Sequence, residues 1–75
     1  MSYNGHKNWA QWNVSLWINN DEGLYNLARE CVRMRRARIL AAQDFKALLE
    51  DVGTTHTPDG ARYTVTAIRH AMVGM

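Results

Sequence analysis

Three tryptophans, Trp9, Trp12 and Trp17, lie within nine residues of this 75-residue chain. A chain this short buries only about 60–65% of the surface that its unfolded state exposes. It therefore relies on very efficient packing, disulfides, a metal or a partner chain. A disulfide within the chain is excluded because Cys31 is the only cysteine. Since each tryptophan buries roughly 150–250 Å², the segment predicts a domain built on an aromatic core.

The tryptophan segment has the pattern of a helix. Asn8 is a suitable N-cap, with Gln11 at the third helical position as a variant of the capping box. On a helical wheel Trp9, Trp12 and Leu16 share one stripe. The pattern predicts a largely buried helix at the centre of the domain.

Two further residues extend the apolar side of this helix. Trp17 lies about 80° to one side of the stripe, at 100° per residue, and Asn13 falls between Trp9 and Trp17 on the wheel. Because a buried amide must find hydrogen-bond partners, we expect Asn13 to hold a neighbouring loop or helix end.

Two more helices are predicted by apolar spacing. Asn19 is a candidate N-cap for the second helix, with Glu22 completing a capping box. The second helix runs to about Met34 on the apolar residues Leu24, Leu27, Ala28, Cys31 and Val32. The third spans roughly 39–52 on Ala41, Phe45, Leu48, Leu49 and Val52, and Gly53 follows it. A break near 36–41 is required, since one helix from 20 to 52 could not fold back on a small core.

The remaining segments complete a single all-α domain over residues 1–75. Residues 1–7 read as a flexible polar lead-in, and residues 53–63 as a loop that contains a Thr57-Pro58-Asp59-Gly60 turn. A short final helix follows Thr64 as N-cap. The fold predicted is a compact bundle of three to four short helices around the tryptophan-rich helix. Its predicted structural core consists of Trp9, Trp12, Asn13, Leu16, Trp17, Leu24, Leu27, Phe45 and Leu48.

Catalysis and metal binding have little support in the residues. His6, His56 and His70 stand far apart without ligand spacing, and no nucleophile and acid are spaced to converge on His56. The sequence thus predicts a non-enzymatic protein without metal or cofactor. The polar N-terminus and the short apolar runs predict neither a signal peptide nor a membrane span. With a free Cys31, this favours a cytosolic protein.

The sharpest charge feature is a basic run from Arg29 to Arg38. Five arginines against Glu30 give it a local charge of +4, which leaves −2 for the rest of a chain whose net charge is +2. Arg29, Arg33 and Arg36 have the spacing of one helical face. The candidate binding residues are Arg29, Arg33, Arg35, Arg36 and Arg38. They have three interpretations: a solvated helix end favoured by the helix dipole, a site for an acidic protein surface, or a site for nucleic acid.

The stretch from Asn8 to Tyr25, with Trp12-Asn13-Val14-x-Leu16-Trp17-x-x-Asn20-Asp21-Glu22 at its centre, resembles the signature of a family of small uncharacterised proteins. Bacteriophages, plasmids and other mobile elements encode most of that family. The turn at 57–60 followed by Tyr63 also resembles the family pattern. The resemblance covers roughly residues 3–65, excludes the arginine run, and implies no assigned activity.

The setting implied by that resemblance suggests one function, and the basic run suggests an alternative. The first is a small mobile-element protein that binds and inhibits a host protein in the host cytoplasm, such as a defence nuclease complex, as an anti-CRISPR-type counter-defence inhibitor. The alternative is a small nucleic-acid-binding regulator that uses the Arg29–Arg38 basic run. The chain could act as a monomer or a homodimer.

Overall fold

The computed structural model describes residues 8–75, which contain four helices. They are α1 (Trp9–Asn20), α2 (Glu22–Met34), α3 (Arg38–Asp51) and α4 (Val65–Ala71). The Cα radius of gyration is 11.3 Å, close to the ~11 Å expected of a compact domain of this length. The predicted compact all-α bundle is confirmed. The predicted lead-in at 1–7 lies outside the described residues.

Side-chain caps begin three of the helices. Asn8 Oδ1 accepts a hydrogen bond from the Gln11 N–H at 2.9 Å, and Thr64 Oγ1 accepts one from the Ala67 N–H at 3.1 Å, as predicted. The prediction that Asn19 caps the second helix is wrong. α1 continues through Asn19, whose amide donates to the Ser15 carbonyl at 2.8 Å within the same helix. The extended residue Asp21 caps α2 instead, accepting from the Leu24 N–H at 2.9 Å.

The chain reverses between α2 and α3 without a glycine or proline. Arg35 and Ala37 are both extended, with φ of −128° and −105°, and they separate the two helices. α3 ends at Asp51, and Gly53 follows in the left-handed region with φ of +79°. There the Thr54 N–H donates to the Leu49 carbonyl at 2.9 Å. Such a bond satisfies a carbonyl that the helix end leaves unpaired.

The four helices close into a ring around one core. α1 packs against α2 and α4, and α3 packs against the same two helices. The largest fully buried side chains come from all but α2: Phe45, Ile18, Ile68, Met72, Val14 and Asn13. α2 contributes the smaller buried residues Ala28 and Cys31.

The predicted burial of Trp9, Leu16 and Leu48 is wrong. These side chains are 41%, 38% and 44% exposed. α1 instead buries the face that carries Val14, Ile18 and the polar Gln11. The physical reason is that two helices cover α1 from one side and leave part of the Trp9 stripe outside.

The other predicted core residues are at least partly covered. Asn13 and Phe45 are buried, as predicted, whereas the remaining four are half-buried: Trp12, Trp17, Leu24 and Leu27.

The loop between α3 and α4 is fastened to α1 by a polar network. The Thr57 hydroxyl donates to Asn13 Oδ1 at 2.6 Å, and Asn13 Nδ2 donates to Asp59 Oδ2 at 2.8 Å. Trp17 Nε1 donates to the same oxygen at 2.9 Å. The Gly60 N–H bonds the Thr57 carbonyl at 2.9 Å, which confirms the predicted turn. Asn13 therefore holds a neighbouring loop, as expected.

The same network changes the pKa of Asp59. The hydrogen bonds from Asn13 and then from Trp17 lower the pKa of the Asp59 carboxyl, because both stabilise the charged form. The tryptophan segment and the turn at 57–60 are thus two halves of one structural contact.

Candidate partner-binding site

The α2–α3 connection distributes the arginines of the basic run. Arg29 and Arg33 lie on α2, Arg35 and Arg36 in the connection, and Arg38 begins α3. The helical face predicted for Arg29, Arg33 and Arg36 does not form, because α2 ends at Met34 and Arg35 is extended. The arginines instead surround the end of the α2–α3 hairpin.

Three of these arginines have partners within the chain. Arg33 pairs with Glu30 one helical turn earlier. Arg35 holds Asp44 through two bonds, from Nε at 2.7 Å and from Nη2 at 3.2 Å. In both pairs the hydrogen bond, and then the charge of the acid, raises the arginine pKa. The Arg29 guanidinium lies 5.8 Å from the centre of the Tyr25 ring, within cation–π range.

Arg36 and Arg38 line a basic cavity together with Arg35 and Arg69. The cavity has a volume of about 770 Å³, and no acidic side chain lines it. Within residues 8–75, Arg36, Arg38 and Arg69 form no ion pair. Their charges are therefore available to an anionic ligand.

Arg69 is a site residue that the sequence did not reveal. It lies on α4, distant in sequence from the basic run, and reaches the cavity because α4 packs against α3. In the sequence, nothing but its positive charge distinguishes Arg69, and every other arginine has that charge too. Its place in the basic cavity follows from the packing of the helices.

A second cavity, of about 470 Å³, extends the basic surface along α2. Arg29, Arg33, Glu30 and Asn26 line it, and it shares Val32 and Met75 with the first cavity. We call the combined surface the arginine face, and it comprises Arg29, Arg33, Arg35, Arg36, Arg38 and Arg69. The structure thus brings together all five predicted arginines and adds a sixth.

Apolar side chains lie among these arginines. Val32, Ile39 and Met75 line the basic cavity, and Ile39 is 39% exposed. An apolar groove of about 590 Å³ lies between α2 and α3 and shares Arg35 with the basic cavity. We call it the α2–α3 groove, and its lining consists of Leu27, Glu30, Cys31, Met34, Arg35, Asp44 and Leu48. The surface is accordingly both basic and apolar.

The described residues offer no cluster for a metal ion, and their one thiol, Cys31, is buried. No group of three or more histidine, cysteine or acidic residues could hold a metal ion among residues 8–75. Burial raises the pKa of the Cys31 thiol, and the charges of Asp44 and Glu30 raise it further. A thiol with a raised pKa is a poor nucleophile at neutral pH.

His56 Nδ1 lies 2.8 Å from the hydroxyl of its neighbour Thr55, on the exposed loop. This pair brings no acid to the ring. Within the part of the chain that the structure describes, none of the helices has the length and hydropathy needed to cross a bilayer.

Comparison with known proteins gives one family. A family model described as "Family of unknown function (DUF7249)" matches residues 1–75. No curated protein and no solved structure matches the chain.

Proposed function

Because the chain belongs to this family of unknown function, we propose its function from the arginine face: it is a non-enzymatic protein that binds an acidic surface of another protein. The observation that carries the proposal is the acid-free cavity lined by four arginines from three parts of the chain. Such a concave cluster attracts carboxylates, which arginine binds in two-pronged hydrogen bonds.

The side chains among the arginines favour a protein partner over a nucleic acid. Arginine and methionine are enriched in the centres of protein interfaces, where apolar contacts accompany charge. The arginine face has this mixture, with Ile39 and Met75 lining the basic cavity. A phosphate-binding surface requires charge and polar donors but gains little from exposed aliphatic groups.

The biological setting we propose is inhibition of a host protein in the host cytoplasm by a protein of a phage or other mobile element. Support comes from the resemblance of the Asn8–Tyr25 stretch to mobile-element proteins, and a counter-defence inhibitor fits that setting. This step is an association between gene context and function, not a property of the site. The binding proposal stands without it.

Capture of a partner from host lysate tests the binding proposal. The tagged full-length chain is compared with Arg38→Glu and Arg69→Glu, and with Arg62→Glu as a matched control. Arg62 is exposed on the 53–63 loop and lines neither basic cavity. We expect loss of the partner with the first two variants and retention with the third. Loss that is equal in all three, or in none, contradicts the assignment to the arginine face.

The captured protein then tests the inhibitory role. Its activity should fall on addition of the wild-type chain and recover with Arg69→Glu. An unchanged activity would be consistent with the binding proposal and would contradict the proposed inhibition. Binding should also weaken as salt is raised, because exposed charges are screened over roughly 10 Å at 0.1 M.

Nucleic acid is the second candidate, favoured by the same three arginines without ion pairs. If they contact three phosphates of duplex DNA, the logarithm of affinity should fall with the logarithm of salt at a slope of about −2.7, at roughly −0.9 per phosphate. Fluorescence anisotropy with labelled DNA and RNA at low ionic strength measures this slope. No binding under those conditions rejects a nucleic-acid-binding regulator.

A further inference from the structure

The α2–α3 groove is an apolar surface that shares only Arg35 with the arginine face. Its floor is Leu27 and Cys31, and Leu48, 44% exposed, forms its α3 side. Met34 stands at its edge with 70% of its surface exposed. Contiguous apolar surface of this kind on a small domain marks an interaction site.

The groove carries both a protruding side chain and a recess. Met34 is flexible and polarisable, and such side chains fill irregular apolar gaps. The recess between Leu27 and Leu48 is open to receive one. An interface related by two-fold symmetry requires both features on the same patch, because each copy presents the same surface to the other.

Charge also favours a second copy at the groove. Its charged rim is neutralised within the chain, by Arg33 with Glu30 and by Arg35 with Asp44. Two such rims can meet without net repulsion, and residues of each sign lie on both. Within the described residues Arg36, Arg38 and Arg69 form no ion pair, so two basic cavities would instead repel each other.

We propose that two copies of this chain associate through the α2–α3 groove, with Met34 of each copy seated in the groove of the other. The four helices then form a bundle across the two-fold axis, a common way for helical hairpins to cover apolar faces. The arginine face lies partly outside this contact, and the dimer would present two basic cavities.

The size of the surface sets the expected strength. α2 and α3 have 13 and 14 residues, which at 1.5 Å per residue makes each about 20 Å long. Two such helices side by side present a face roughly 20 Å wide. The resulting face of about 400 Å² is half of the roughly 800 Å² per partner that a standard specific interface buries. We therefore expect a dimer with a dissociation constant in the micromolar range.

Sedimentation equilibrium of the wild-type chain over micromolar to millimolar concentrations tests the proposal. The variants are Met34→Glu and Leu48→Glu, with Val73→Glu as the control. Val73 is 65% exposed and lies after α4, away from the groove lining. We expect Met34→Glu and Leu48→Glu to raise the dissociation constant about 100-fold, because each introduces an unpaired charge into an apolar contact. Val73→Glu should leave it unchanged.

Circular dichroism of each variant checks that the fold is retained, which the exposure of Met34 and Leu48 favours. A wild-type chain that is monomeric at millimolar concentration overturns the proposal. A dimer that is unaffected by both groove variants, or lost with Val73→Glu, overturns it as well. A monomeric chain whose host partner is lost with Met34→Glu would assign the groove to that partner instead of a second copy.

The dimer proposal and the proposed function can each be contradicted without affecting the other. Arg38→Glu and Arg69→Glu should abolish partner capture without changing the dissociation constant of the dimer. Raising the salt concentration should weaken partner binding and leave the apolar dimer intact, since screening acts on exposed charges.

Discussion

Replacement of Thr57 by valine tests the polar network that joins the loop to α1. Thr57 is 4% exposed, and its hydroxyl both donates to Asn13 Oδ1 at 2.6 Å and accepts from the Ala61 N–H at 3.0 Å. Valine has nearly the same shape but lacks the hydroxyl. The substitution therefore removes two hydrogen bonds and leaves a buried acceptor and a buried donor without those partners.

The expected cost follows from that geometry. A buried polar group left unsatisfied costs about 1–3 kcal/mol, so two such groups should reduce the free energy of unfolding by about 2–6 kcal/mol. A domain of this length has a total stability of roughly 4–11 kcal/mol, at 0.05–0.15 kcal/mol per residue. The midpoint of thermal unfolding should consequently fall by at least ~8 °C, at about 4–8 °C per kcal/mol.

Urea unfolding followed by tryptophan fluorescence and circular dichroism measures this cost. Thr57→Ser keeps the hydroxyl and should lose only about 1 kcal/mol for the missing methyl group. Thr66→Val, on the exposed side of α4, controls for the exchange of a hydroxyl for a methyl group and should stay within ~0.5 kcal/mol of wild type. If Thr57→Val is no less stable than Thr66→Val, the network does not hold the loop and the reasoning is refuted.

Three further predictions concern other parts of the fold. The pKa of Asp59 is lowered, so its contribution to stability is present above the unfolded pKa of about 3.9 and is lost as pH falls through the lower folded pKa. Asp59→Asn should therefore make the stability measured in urea less sensitive to acid. An unchanged acid dependence would contradict this. Cys31 is 6% exposed and burial raises its thiol pKa, so a thiol reagent should label it slowly in the native protein and rapidly in urea; native labelling at the unfolded rate would contradict its burial. Gly53 has φ of +79°, and a Cβ there would meet nothing within 4 Å. In thermal unfolding, Gly53→Ala should therefore cost only the ~1 kcal/mol of its backbone conformation, and Gly53→Asn should cost less because asparagine tolerates this conformation. Equal losses for the two variants would point to a steric cause.

Much of the local structure could be predicted because its signals lie close together in the chain. Asn8 and Thr64 cap their helices through backbone groups three residues ahead, and such short-range patterns are visible in one sequence. Asn19 shows the limit of this reasoning. Asparagine and aspartate are both good caps, so a run of Asn19, Asn20 and Asp21 does not by itself locate the start of α2.

The candidate site was only partly predictable. The five arginines of the basic run are evident from charge alone, but their arrangement depends on α2 ending at Met34. The sequence places Arg29, Arg33 and Arg36 on one helical face, whereas the extended Arg35 turns the chain away. Local propensity did not specify this reversal, since no glycine or proline marks it.

Residue order alone specifies the all-α class, the Thr57–Gly60 turn and the need of Asn13 for hydrogen-bond partners. The class and the turn follow from the spacing of residues that are close in the chain. The need of Asn13 for partners follows from the cost of an unsatisfied buried polar group. Only the tertiary structure decided that Val14 rather than Trp9 faces the core, and that Arg69 joins the basic cavity. The physical reason is that burial depends on which neighbours cover a helix. α1 has a broad apolar side, and the positions of α2 and α4 determine which part of that side is buried.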